Sequence, residues 1–253
     1  MHLAIKPRTF SDSLGSARAD SRFGRYKREV KQPVRELDLN ESSTLSQIKT
    51  IWAKFTYDRE KGFNEQCVEV FELLKTISCS AKDVERFSLA LAEFQDEKCF
   101  SDKAGVFLSA IINNSEDSNF IVHTSHLSED VLISGIGYKN TKNIIVEGNA
   151  GNDVGWCMSS GRILINGDAE EFVGWAMEGG KIIIAGYASS GGEHAIGGKI
   201  IVRRGLSRIG EKMGTGCEIH SFGKWSPHII KGDVILGKVF HNGKLISPET
   251  ERI

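Results

Sequence analysis

The sequence predicts an α+β protein: a small N-terminal helical domain followed by a single-stranded parallel β-helix. Three observations carry that expectation. The triplets Ile144-Ile145-Val146, Ile163-Leu164-Ile165 and Ile182-Ile183-Ile184 begin nineteen residues apart, and Ile200-Ile201-Val202 follows after eighteen. Glycines keep step with these triplets. Between Leu45 and Asn113, by contrast, apolar residues recur at three- and four-residue steps, the period of a helix.

Taken in order, the chain opens with a polar, basic arm (1–39). Over residues 1–36 nine Lys/Arg face four acids, the pattern of a solvated or partner-ordered extension. The helical domain is expected over 40–115. Leu45, Ile48, Ile51, Trp52 and Phe55 share one helix face, with Ser42-Ser43-Thr44 as caps. A second helix carries Val68, Val70, Phe71 and Leu74. Ser80 and Asp83 form a capping-box signature ahead of Val84, Phe87, Leu91 and Phe94. Phe100 to Ile112 reads as a fourth helix. Beyond Asn119 the runs FIV (120–122) and VLI (131–133) read as strands bounded by polar or glycine residues. The β-helix is expected over 119–247, with a short tail at 248–253.

The repeat extends past the triplets. Gly148, Gly167 and Gly186 follow two residues after them, then Ala150, Ala169 and Ala188. Gly155 matches Gly174, and Trp156 matches Trp175. Met158, Met177 and Ile196 continue a row, while Gly161, Gly180 and Gly198 precede each next strand. A degenerate unit runs through Ile209-Gly210 and Met213-Gly214 to Gly216. Nineteen residues are too few for a helix pair, and the unit holds β-branched triplets between glycines. Each unit therefore makes one coil, with equivalent strands stacked about 4.8 Å apart. Aliphatic residues and the alanine row face the interior. Glycines sit where the coil needs positive φ or where another backbone passes close by. The two tryptophans stack, and the methionines fill an irregular gap. All these rows are expected to build the coil rather than to perform chemistry.

Successive strand residues point to opposite faces, yet all three positions of each triplet are aliphatic. The outer face is therefore expected to be covered, either by the helices or later strands or by a partner chain. Arg162, Lys181 and Lys199 precede three strands and form a basic stripe suited to solvent or to an acidic partner.

Composition narrows the function. The formal charge of −1 gives no global field for nucleic acid or membrane. No apolar stretch approaches the ~18 residues of a membrane span, and no early run resembles a signal peptide. The five cysteines form no CxxC pair and read as buried thiols in a reducing compartment, so a cytoplasmic location is expected. No P-loop, nucleophile elbow, HExxH or dinucleotide fingerprint is present, and neither cofactor nor metal is expected.

Two enzyme classes use related coils. Enzymes acting on acidic polysaccharides need clustered carboxylates. The candidates are Asp153, Asp168, Glu170, Glu171, Glu178 and Glu193, which read better as solvated corners. Hexapeptide acyltransferases use eighteen-residue coils and a histidine base. Here two of the three spacings are nineteen, and His194 falls near the slot of Trp175, a corner. His220, His228 and His241 lack metal-ligand spacing.

The units GNAGNDVGWCMSSGRILI and GDAEEFVGWAMEGGKIII resemble the GXGXG domain, which is found in the glutamate synthase large subunit and in one component of formylmethanofuran dehydrogenase. The form G-[ND]-A-x(3)-[VF]-G-x(2)-M-x(2)-G-[RK]-I-x-I is more like the latter, and GKVFHNGKLI (237–246) is similar to how such chains finish. The resemblance covers Asn143–Ile246. It implies a right-handed β-helix without cofactor or catalytic side chain, supporting a redox or amidotransfer complex. The expected function is thus a non-catalytic scaffold that binds a protein partner or itself through apolar strand faces.

Overall fold

The computed structural model describes residues 43–229 and 235–246. The basic arm, Ser42 of the first cap and the C-terminal tail lie outside the described residues.

Among the described residues four helices come first: α1 (Ser43–Lys54), α2 (Phe63–Leu74), α3 (Ala81–Ala90) and α4 (Phe100–Asn114), with a 3₁₀ turn at Leu91–Glu93. The Ser80–Asp83 capping box is complete, since each partner's side chain accepts from the other's backbone N–H. Trp52 of α1 sits at the centre of the helical core. Its indole meets the rings of Phe107 at 4.9 Å and Phe94 at 5.2 Å. Its Nε1 donates to Glu97 (3.0 Å), which also accepts from the buried Lys103 (3.0 Å). A lysine is tolerated there because its charge is paired and lies 4.3 Å from the Trp52 ring centre.

Ten strands follow. The main sheet has the order β1-β2-β3-β4-β6-β8-β9-β10, comprising β1 (Asn119–His123), β2 (Asn143–Glu147), β3 (Arg162–Ile165), β4 (Lys181–Ile184), β6 (Gly197–Val202), β8 (Gly216–Ser221), β9 (Lys238–His241) and β10 (Lys244–Leu245). Apart from the antiparallel pairing of β9 with β10, every pairing is parallel. A second wall pairs β5 (Tyr187–Gly191) with β7 (Gly205–Ile209), extended by bridges along Ala150, Ala169 and Ala188. This is a parallel β-solenoid.

The sequence period becomes register directly. Ile144 pairs with Ile163, Ile163 with Ile182, Ile182 with Ile200 and Ile200 with Ile219. That column and the Val146-Ile165-Ile184-Val202 column are fully buried and fill the lumen. The alanine row is interior as expected. Met158 and Met177 are fully buried, and Trp156 stacks on Trp175.

Both expected uses of glycine occur. Gly148, Gly155, Gly161, Gly174, Gly180 and Gly198 hold positive φ. Gly167 and Gly186 do not, and close approach explains them instead. A Cβ on Gly186 would lie 1.8 Å from Asp168 Oδ1 and 2.7 Å from the Gly167 carbonyl oxygen.

Two expectations need correction. Residues 131–133 are not a strand. Their backbone groups go to three different partners: Val131 N–H donates to the Ser128 carbonyl (2.9 Å), the Leu132 carbonyl accepts from Ser101 Oγ of α4, and the Ile133 carbonyl accepts the Gly151 N–H of the next coil (2.9 Å). Ile196 also leaves the methionine row. The residue continuing from Met177 is the fully buried Ala195, then Met213, whereas Ile196 is 63% exposed. The coil after Lys181 has eighteen residues, and the missing one falls before the Val173–Gly191 bridge, so everything beyond it shifts by one.

The helices close the first end of the solenoid. Nearly all of α4 is buried, and Ser109 Oγ donates to the Gly135 carbonyl while accepting from Gly137 and Tyr138 N–H. A Cβ on Gly105 would meet the Ser134 carbonyl oxygen at 1.6 Å, so helix and coil touch backbone to backbone. Ser88 of α3 accepts the His123 N–H (3.0 Å) from edge strand β1. One continuous core joins the two parts.

Candidate functional site

The outward face of the main sheet carries an apolar column. Alternation within each strand sends the first and third residues of the triplet inward and the middle residue outward. The middle residues Ile121, Ile145, Leu164, Ile183 and Ile201 lie in direct register across five neighbouring strands. All but Ile183 are half-buried, and Ile183 is 5% exposed. The column continues into His220 and Phe240, whose rings stack at 4.6 Å. Among the described residues, α3 packs on β1 at the start of this column.

Beside this column runs the basic stripe. Arg162 pairs in register with Lys181, and Lys181 with Lys199. Lys199 then meets Glu218 at 2.8 Å, and together with His220 it holds the Glu218 carboxyl below the usual range. Two exposed cations, Arg162 and Lys181, thus flank the apolar column without a carboxylate partner among the described residues.

The solenoid corner carries a second column. Tyr138 meets Trp156 edge-to-face, Trp156 stacks on Trp175, and Phe63 of α2 packs against Tyr138 and Trp156 at 5.6 and 5.2 Å. The slot of Trp175 passes to Glu193, not His194. His194 takes the slot of Ala176, and both have positive φ, 54° and 50°. It is a corner residue, as expected, displaced by the short coil.

The acidic candidates separate into four groups. Asp168 Oδ1 accepts the Tyr187 N–H (2.7 Å) of the next coil, so it is a structural acceptor. Glu171 and Glu178 are exposed turn residues. Glu170 lines a polar cleft of about 390 Å³ with Arg59, Asp102 and Asp130. Burial raises the Asp102 carboxyl, opposed by Arg59. Asp153 and Glu193 are the electrostatically stressed pair. Burial, with Asp102 and Glu193 adding, pushes Asp153 up to about 6, and its Oδ1 is buried without a hydrogen bond. Glu193 is 6% exposed, with Arg208 3.3 Å from Oε1 and no partner for Oε2. Its pKa is also raised, first by burial.

The five cysteines are free thiols. Burial pushes Cys79 up to about 11 and Cys217 up to about 12, so neither is a thiolate at neutral pH. His241 accepts or donates at Ser221 Oγ (3.0 Å), while His194 lies 3.9 Å from Glu211. Among the described residues no group of three or more His, Cys, Asp or Glu side chains could hold a metal ion. No helix of the described residues is long and apolar enough to cross a membrane.

Sequence reasoning missed two surfaces. Glu218 as counterion to Lys199 was readable, since it sits nineteen residues beyond it. A second, apolar cleft lined by Val68 and Phe71 of α2, Ala110 of α4 and Lys139 of the first coil was not, because its walls come from segments without a shared repeat. The fold and its surface thus define a β-solenoid with a helical end cap. The chain matches no family model, no curated protein and no solved structure.

Proposed function

We propose that this chain is a non-catalytic scaffold of the GXGXG type, a right-handed β-helix that docks a protein partner or a second copy through its outer apolar column. The observation that carries the reading is the register of Ile121, Ile145, Leu164, Ile183 and Ile201 across five strands, beside Arg162 and Lys181. A rigid row spanning roughly 19 Å at strand spacing is too continuous to be scattered surface hydrophobicity. Flanking cations suit an acidic rim on the partner. Support of a redox or amidotransfer enzyme follows from the resemblance of the repeats.

The test is multi-angle light scattering of the full chain, with affinity capture from its native cells. The expected result is an oligomer or a defined complex that Leu164→Glu with Ile201→Glu dissolves while circular dichroism stays unchanged. A strict monomer with no co-purifying protein overturns the reading.

A second reading rests on the cleft of Arg59, Asp102, Asp130 and Glu170, in which a raised carboxyl and a cation face a shared space. It is an enzyme acting on acidic polysaccharide. Turnover on such a glycan, lost in Asp102→Asn and Glu170→Gln, would establish it.

A further inference from the structure

The joint between helical cap and solenoid holds an apolar cleft of about 330 Å³. Its volume is at the low end of small-molecule sites, which favour such joints. Val68 and Phe71 of α2 and Ala110 of α4 supply its apolar lining. Val68 is 57% and Phe71 37% exposed, so α2 presents apolar side chains at the mouth, where a soluble helix ordinarily places polar ones. The Cys67 thiol in the wall is held protonated by burial and behaves as a small apolar group.

The polar lining comes from Ser109, Asn113, Tyr138, Lys139 and Thr141. Ser109 is fully occupied by the backbone of the first coil and contributes only wall. Asn113 donates one amide hydrogen to the Tyr138 carbonyl (2.9 Å), which fixes its orientation. Lys139 supplies the only cation of the lining, with Nζ 5.3 Å from the centre of the Tyr138 ring. No carboxylate of the described residues neutralises it. Lys139 is also held in place: it sits at a coil corner with φ of 50°, its N–H bonded to the Trp156 carbonyl (2.9 Å). An apolar pocket with a single cation at its mouth selects a ligand with an aliphatic or aromatic body and one anionic head.

We propose that this cleft binds a small amphiphilic monocarboxylate, its chain against Val68, Phe71 and Ala110 and its carboxylate on Lys139. The site is independent of the outer column, so neither proposal depends on the other.

Isothermal titration of the full chain with octanoate and with octan-1-ol tests it, because the two probes share a chain and differ in charge. Octanoate should bind saturably below about 1 mM, and about tenfold more tightly than the alcohol. Lys139→Gln should erase that difference without lowering the melting temperature, since the residue is exposed. Ala110→Leu should fill the cleft and remove binding of both probes. Absence of saturable octanoate binding overturns the proposal, as do equal affinities for the two probes. Binding that survives both variants places the ligand elsewhere and equally rejects the site. The comparison of the two probes on the unaltered chain stands even if one variant fails to fold.

Discussion

The indole rings of Trp156 and Trp175 lie 5.0 Å apart and 8° from parallel, one coil above the other. Their order is set by identical backbone placement: Cys157 N–H donates to the Trp175 carbonyl just as Lys139 N–H donates to that of Trp156. The pair is half-exposed, so truncation costs less than in a sealed core. Trp175→Ala should lower unfolding free energy by about 2 kcal/mol in guanidinium melts. A double-mutant cycle with Trp156→Ala should give a coupling of about 0.5–1.5 kcal/mol. Strict additivity would show that the two rings do not interact.

Gly174 has φ of 70°, and a Cβ there would sit 2.7 Å from Ile200 Cδ1 of the lumen. Valine would add backbone strain to that collision. Gly174→Val should cost at least about 1 kcal/mol, rising toward about 3 as the lumen repacks. Urea denaturation measures it, and a fully stable variant removes the corner from its assigned place.

Asp153 ties stability to pH. Its carboxyl ionises near 3.8 without the protein around it and near 6 when folded. Folding therefore favours the protonated form. The group's contribution is complete below about pH 4, falls as pH rises through 6, and is lost above. A shift of this size would be worth ~3 kcal/mol at full burial, but partial solvent access reduces the expectation to about 1 kcal/mol. Asp153→Asn keeps a residue that tolerates the positive φ of 61° at this position. The variant should match the parent near pH 4 and melt about 2–4 °C higher at pH 7. A pH-independent difference would rule out this origin.

Arg208 and Glu193 make the complementary case. Glu193 is buried with one unpartnered oxygen, and Arg208 is its cation at 3.3 Å. Arg208→Ala should strand a buried charge and cost about 1–2 kcal/mol, less than in a dry interior because the guanidinium is partly exposed. Glu193→Gln in the same chain should recover most of that loss. Thermal melts of the single and double variants decide it, and additive losses would contradict the pairing.

Much of the fold was legible in the sequence because a solenoid writes its register into its period. Residues nineteen apart must lie one above another, so Ile144, Ile163 and Ile182 identified the lumen before any coordinate did. Ile196 and His194 were misplaced for an equally physical reason. Periodicity reveals that a coil is one residue short but not where the gap falls, and only the Val173–Gly191 bridge locates it. Among the candidate surfaces, the basic stripe was readable from the repeat and its neutralising Glu218 could have been. The raised carboxyls of Asp153 and Glu193 were not, because burial is a property of the packed coils rather than of either residue.

What the amino-acid order alone determined is the stack: equal spacing, aliphatic lumen, glycine and aromatic corners. Local geometry and repetition suffice for that, since each coil needs only its neighbour. The tertiary structure decided how the stack ends and what it leaves open. Docking of α4 on the first coil, the apolar cleft around Lys139, and the surroundings of the outward column through Leu164 each depend on segments distant in sequence. Contacts of that kind have no period, so packing had to settle them.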